Sequence, residues 1–177
     1  MSITYEDQQL DAVRAEARSS YDSYYRAVES IKGDRSLSDE GKSEQIARWH
    51  SSTEAKVAGL RERELSIVND AITAREKQID AKMGNTSSDL IAFRDAQDRA
   101  ERIDSADDAQ RIIERALRTN DASLAGAVFR RSLEAGWKAP VDALKHAKPE
   151  VSEAVADLAL FTRFRDNTLG RAAAYSF

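Results

Sequence analysis

Cysteine is missing from this 177-residue chain, which excludes disulfide bonds, thiolate metal sites and thiol nucleophiles. Proline and glycine are scarce, at two and seven residues, so few positions break a helix or favour a tight turn. No charge sign dominates: the formal net charge is -4, which gives no global attraction for DNA or an anionic membrane. No apolar run approaches the roughly 20 residues needed to span a bilayer. The opening MSITYEDQQL has neither a basic leader nor an apolar signal core. The expectation is a soluble protein made in the cytoplasm, with no membrane association.

Charged residues make up 33 % of the chain and hydrophobic ones 41 %, a mixture that favours exposed helix surface over sheet. The expected fold is all-α. From Tyr5 to about Lys32, Leu10, Val13, Ala17, Tyr21, Tyr24, Val28 and Ile31 recur at helical steps and form one narrow stripe. Gly33 interrupts it, and Ser38 suits the N-cap of a second helix, with Asp39 and Glu40 favourable in its first turn. That helix is expected from Asp39 to about Met83, with Ile46, Trp49, Thr53, Val57, Leu60, Glu64, Ile67, Val68, Ala71, Ile72 and Ile79 on its apolar face. A connection this short predicts a long antiparallel hairpin. Lys56 and Glu64 sit where a strict heptad would carry leucine, so an irregularly packed hairpin or a loose oligomer is expected rather than a free-standing parallel coiled coil. The second helix is much longer than the first, and the excess length must project, pack on the C-terminal half or meet another subunit.

The run GNTSS at 84–88 marks a break, followed by short helices that predict a compact bundle. Ser105 with Asp108 approximates a capping box. Asp121 suits another N-cap, Gly136 a left-handed helix stop, and Pro140 and Pro149 helix starts. Val151, Val155, Leu158, Phe161 and Phe164 form the last stripe, which 167–170 is expected to end. The expected organisation is a hairpin at 1–84, a compact helical domain at 85–170 and a tail at 171–177. In the tail, Tyr175 and Phe177 pack on the chain's own core, dock on a partner or belong to a disordered end. Tyr21, Tyr24, Val28, Trp49, Leu60 and Ile67 join them as candidate protein-interaction residues.

Little in the chain points to catalysis. His50 and His146 are far apart in sequence, and no HExxH or comparable ligand cluster occurs. Asp104, Asp107 and Asp108 lack the spacing of a calcium loop and suit a helix start instead. Phosphate-binding GxGxxG and GxxxxGK[ST] patterns are absent. No catalytic, metal or cofactor residue is therefore assigned, and a non-enzymatic role is expected. Arg111, Arg115 and Arg118 share a helix face and are candidates for weak phosphate contact. Asp107, Asp108 and Glu114 dilute their field, so solvated surface is the favoured reading over nucleic-acid binding.

Two segments, SLSDEGKSEQIARWH and NDASLAGAVFRRSLEAGWKAPVDALKHAKPEVSEAVADL, carry a resemblance across most of the chain. It resembles small helical proteins encoded among the virion structural and assembly genes of tailed bacteriophages that infect actinobacteria. Leu37, Ser38, Gly41 and Lys42 match the earlier turn of that pattern, and Trp137 and Pro140 match its GW turn. The resemblance implies a minor capsid, connector-associated or scaffold-like component, located in virions or capsid precursors. Its partners would be further copies of itself or other phage structural proteins. The long acidic, proline-rich tract common in scaffolding proteins is lacking. A cellular helical adaptor or nucleic-acid-associated regulator is the alternative. Deleting 171–177 separates the first two readings of the tail: lost folding assigns it to the chain's own core, whereas lost association of an intact fold assigns it to a partner.

Overall fold

A computed structural model describes residues 3–83 and 90–175, the side chains of 3–5 and 90 excepted. The turn read at 84–88 and the candidate Phe177 lie outside the described residues. Those described are all-α: α1 (Ile3–Gly33), α2 (Asp39–Met83), α3 (Leu90–Glu101), α4 (Ala106–Arg118), α5 (Ala122–Glu134), α6 (Lys138–Ala147), α7 (Ser152–Asp166) and α8 (Thr168–Ala173), with a 3-10 turn at Pro149–Val151.

The stripe of α1 is buried at Leu10, Val13, Ala17, Val28 and Ile31, as its helical spacing requires. Beyond Gly33, the Asp34 carboxylate accepts hydrogen bonds from Ser36 N (2.8 Å) and Ser36 Oγ (2.7 Å), which stabilise its charged form and lower its pKa. Ser38 Oγ then accepts from Gly41 N at 3.1 Å, satisfying an amide at the start of α2 that has no intrahelical partner.

The chain divides into two compact units: Met1–Ala71 with Arg163–Phe177, and Ile72–Thr162. The boundaries expected at 84/85 and 170/171 differ from these, because packing does not follow the glycine and serine breaks. Ile72, Ile79 and Met83 at the end of α2 are buried beyond the Ala71 boundary, and Tyr175 near the C-terminus belongs with the first unit.

In the first unit, residues of α1 meet those of α2 in reversed order. Arg14 contacts Glu64, Glu16 contacts Lys56 and Tyr24 contacts His50. Val13, Ala17, Val57, Leu60 and Tyr175 form a core cluster on which Tyr21, Ile67 and Ala174 pack.

The second unit is organised around α5, which packs against α3, α4 and α6, while α4 also packs on α6. Neighbours on several sides explain why every residue from Leu124 to Phe129 is buried. Ile113, Phe129, Leu144, Val155 and Leu158 fill the interior. Each apolar side chain of this size contributes roughly 1.5–3 kcal/mol through burial.

Local signals act where the sequence places them. Ser105 Oγ accepts from Asp108 N at 3.2 Å, and Asp121 Oδ1 accepts from Leu124 N at 3.0 Å. Gly136 takes φ +71°, the left-handed conformation that a Cβ disfavours. Pro149 begins the 3-10 turn, whereas Pro140 lies inside the first turn of α6 and is buried. The segment 167–170 does not simply end the last helix. Asn167 Oδ1 accepts from Gly170 N at 3.0 Å and so caps the additional helix α8.

Phe129→Ala should destabilise the second unit by about 3–5 kcal/mol, the usual cost of a large core cavity. Gly136→Ala should cost about 1 kcal/mol through backbone strain. Denaturant unfolding followed by circular dichroism checks both.

Candidate interaction site

One carboxylate sits in the apolar seam of α2. Glu64 lies between Leu60 and Val68 at four-residue steps, and its side chain has 0 % exposure. Burying that charge is costly unless it is paired. Arg14 of α1 supplies the pair, its Nε donating to Glu64 Oε1 at 2.7 Å. The Arg14 guanidinium also lies 5.1 Å from the centre of the Phe164 ring, a distance suited to cation–π attraction.

The Tyr175 hydroxyl faces this pair. Burial first, and the Glu64 charge second, push its pKa up to about 12. Tyr21 Oη donates to the Tyr175 backbone oxygen at 2.7 Å, holding the chain just after α8 against α1. Tyr21 is itself raised, by burial and then by Tyr25.

The interaction candidates fall into two groups. Tyr175 and Leu60 are in the core cluster, with half-buried Tyr21 and Ile67 packed on it, and Val28 is also buried. These residues are engaged inside the chain. Trp49 is 44 % exposed, and its neighbour His50 makes an edge contact with Tyr24 at 5.9 Å between ring centres. Tyr24 in turn meets Tyr25 edge-on at 5.4 Å, and Tyr25 is 56 % exposed. Tyr24, Tyr25 and His50 therefore form an aromatic cluster where α1 and α2 meet, and Tyr25 belongs to it although the stripe pattern did not single it out.

The arginine candidates do not act as one group. Arg111 pairs with Asp108, whose carboxyl is lowered first by Ser105 and then by Arg111. Arg115 lines a surface groove with Arg99 and Arg102, where Asp108 and Asp121 dilute the positive field. Arg118 is exposed and does not line that groove.

Pattern reading missed the pairing of Arg14 and the burial of Arg75. Arg75 is 4 % exposed, its Nε lies 3.4 Å from Asp157 Oδ2, and its guanidinium stands 5.3 Å from the Phe161 ring. The available signal was a charge at apolar spacing: Glu64 follows Leu60 by four residues, and Arg75 falls between Ile72 and Ile79.

Among the described residues, no group of three or more histidine, aspartate or glutamate side chains is placed to hold a metal ion. No helix there is long and apolar enough to cross a membrane. Compared with known proteins, the chain matches no family, no curated protein and no solved structure.

Arg14→Met should destabilise the first unit by about 3 kcal/mol, because it strands a buried carboxylate, and Arg14→Met with Glu64→Leu should recover most of that loss. Urea unfolding of the single and double variants tests this coupling. Tyr175 also gives a signed pH dependence. Its folded pKa of about 12 exceeds the unfolded value of about 10, so its contribution is complete below pH ~10 and is lost as pH rises towards 12. Tyr175→Phe should flatten that alkaline loss in chemical-unfolding measurements. Tyr21, raised in the same direction, should leave a remainder.

Proposed function

We propose that the chain is a non-enzymatic structural or assembly component of a tailed-phage particle, using its long helices as protein-contact surfaces. The exposed rings of Tyr25 on α1 and Trp49 on α2 are the observation that carries the contact role. Tyr25 and Trp49 keep 56 % and 44 % of their surface exposed, whereas Leu10, Val13, Val28, Ile31, Val57 and Leu60 on the same helices are buried. Large aromatic side chains on such a face supply contact area at low entropic cost and are enriched at protein interfaces. The particle context rests on the resemblance of the two segments around Ser38 and Trp137. The reading includes self-association or binding to other particle proteins.

The alternative, a cellular adaptor or nucleic-acid-associated regulator, draws on Arg99, Arg102 and Arg115 along one groove. Asp108 and Asp121 on the same groove, and a net charge of -4, weigh against it.

Fractionating mature particles and precursor shells from infected cells, followed by mass spectrometry, tests the reading. The chain should be found in one or both. Absence from both overturns the proposal, and presence in precursors alone selects a scaffold role. Tyr25→Ala with Trp49→Ala should weaken association at least tenfold in sedimentation experiments while preserving helical content.

A further inference from the structure

We propose that the first unit contains a binding site for a small monocarboxylate carried on an apolar body, with Arg171 as the carboxylate's partner. A groove of about 510 Å³ is lined by Tyr21, Val57, Leu65, Arg61, Arg171 and Tyr175. Its size falls within the range of small-molecule sites. All of these residues belong to the first unit.

Arg171 is the unusual member. It is 8 % exposed, and its Nε is buried without a hydrogen-bond acceptor. Elsewhere in this unit the buried Glu64 charge is matched by Arg14, whereas Arg171 has no ion-pair partner among the described residues. A buried guanidinium is costly without a counter-charge. Its Nε is shielded, but the two terminal nitrogens are not among the buried unpaired atoms, and their planar N–H pair matches a carboxylate, which can accept two parallel hydrogen bonds.

The rest of the lining narrows the ligand class. Val57, Leu65 and Tyr21 provide apolar lining in the same groove as Arg171, suited to a ligand with a hydrophobic body. Glu54 and Glu62 also line the groove and balance Arg61 and Arg171 in formal charge. That balance favours a singly charged ligand over a dianion such as phosphate. Tyr175 remains neutral at physiological pH, since burial and Glu64 both raise its pKa, so it adds no negative charge against the carboxylate. The inference rests on the groove and Arg171, and does not depend on the particle-assembly reading.

Titration of the full chain by ¹H–¹⁵N NMR tests the site, with phenylacetate, phenylacetamide and inorganic phosphate as probes at matched ionic strength. Phenylacetate should produce saturable shifts at the Arg171 Nε–H and at the amides of Val57 and Leu65. Phenylacetamide and phosphate should each bind at least tenfold more weakly, and Arg171→Gln should weaken phenylacetate binding at least tenfold. If circular dichroism shows that Arg171→Gln loses its helical content, Leu65→Trp, which narrows the groove, replaces it with the same expectation. Absence of saturable phenylacetate shifts overturns the proposal. So does equal binding of acid and amide, binding of phosphate as tight as phenylacetate, or phenylacetate affinity unchanged in the folded variant.

Discussion

Placing Glu64 in the apolar seam of α2 imposes a constraint that the first unit must meet. A carboxylate with no exposed surface must be matched by a positive group at short range, and Arg14 meets that need from α1. The pair confines how α1 lies along α2, because sliding by one turn, about 5.4 Å, would leave both charges unmatched. At the observed position Val13 and Ala17 join Val57 and Leu60 in one cluster. Phe164 stands against the Arg14 guanidinium, and Tyr175 closes over the same region. The ion pair thus selects one alignment from several that a narrow stripe of alanine, valine and tyrosine would accept.

The second unit meets a similar demand with different groups. Arg75 and Asp157 are both buried, and the Phe161 ring lies beside the guanidinium. Arg130 Nη2 approaches both carboxylate oxygens of Asp80 at 2.6 Å. These contacts join the end of α2 to α7 and α5 within that unit. The central position of α5 explains its small residues: Ala125, Gly126 and Ala127 leave room for close helix neighbours, while Val128 and Phe129 fill the remaining space.

Functionally, the first unit presents two different surfaces. The exposed rings of Tyr25 and Trp49 offer area without a buried unpaired charge, which suits contact with another protein surface. The groove beside Arg171 couples a charge to apolar walls, which suits recognition of a smaller amphipathic group. The distinction comes from burial. An exposed arginine remains hydrated, whereas the Arg171 Nε is shielded by its own fold.

Helix identity, turn positions and most core residues were legible in the sequence because they depend on local physics. Ser105 and Asp121 cap helices where their side chains can reach an amide three residues on, and Gly136 stops one where φ must be positive. Leu10, Val13 and Ala17 are buried because a helical repeat puts them on one face. Locality also explains why 167–170 ends α7 as expected and yet opens α8, since Asn167 can end one helix and cap the next. Which charge neutralises Glu64 was not legible, because Arg14 is 50 residues away in sequence. Nor could spacing distinguish Arg171 from the chain's exposed arginines, or show that Tyr175 joins the first unit's core. The sequence by itself determined where helices form and which faces are apolar; tertiary structure decided which charges are buried together and which aromatic rings stay exposed, because burial and electrostatic pairing arise only when distant segments exclude water from one another.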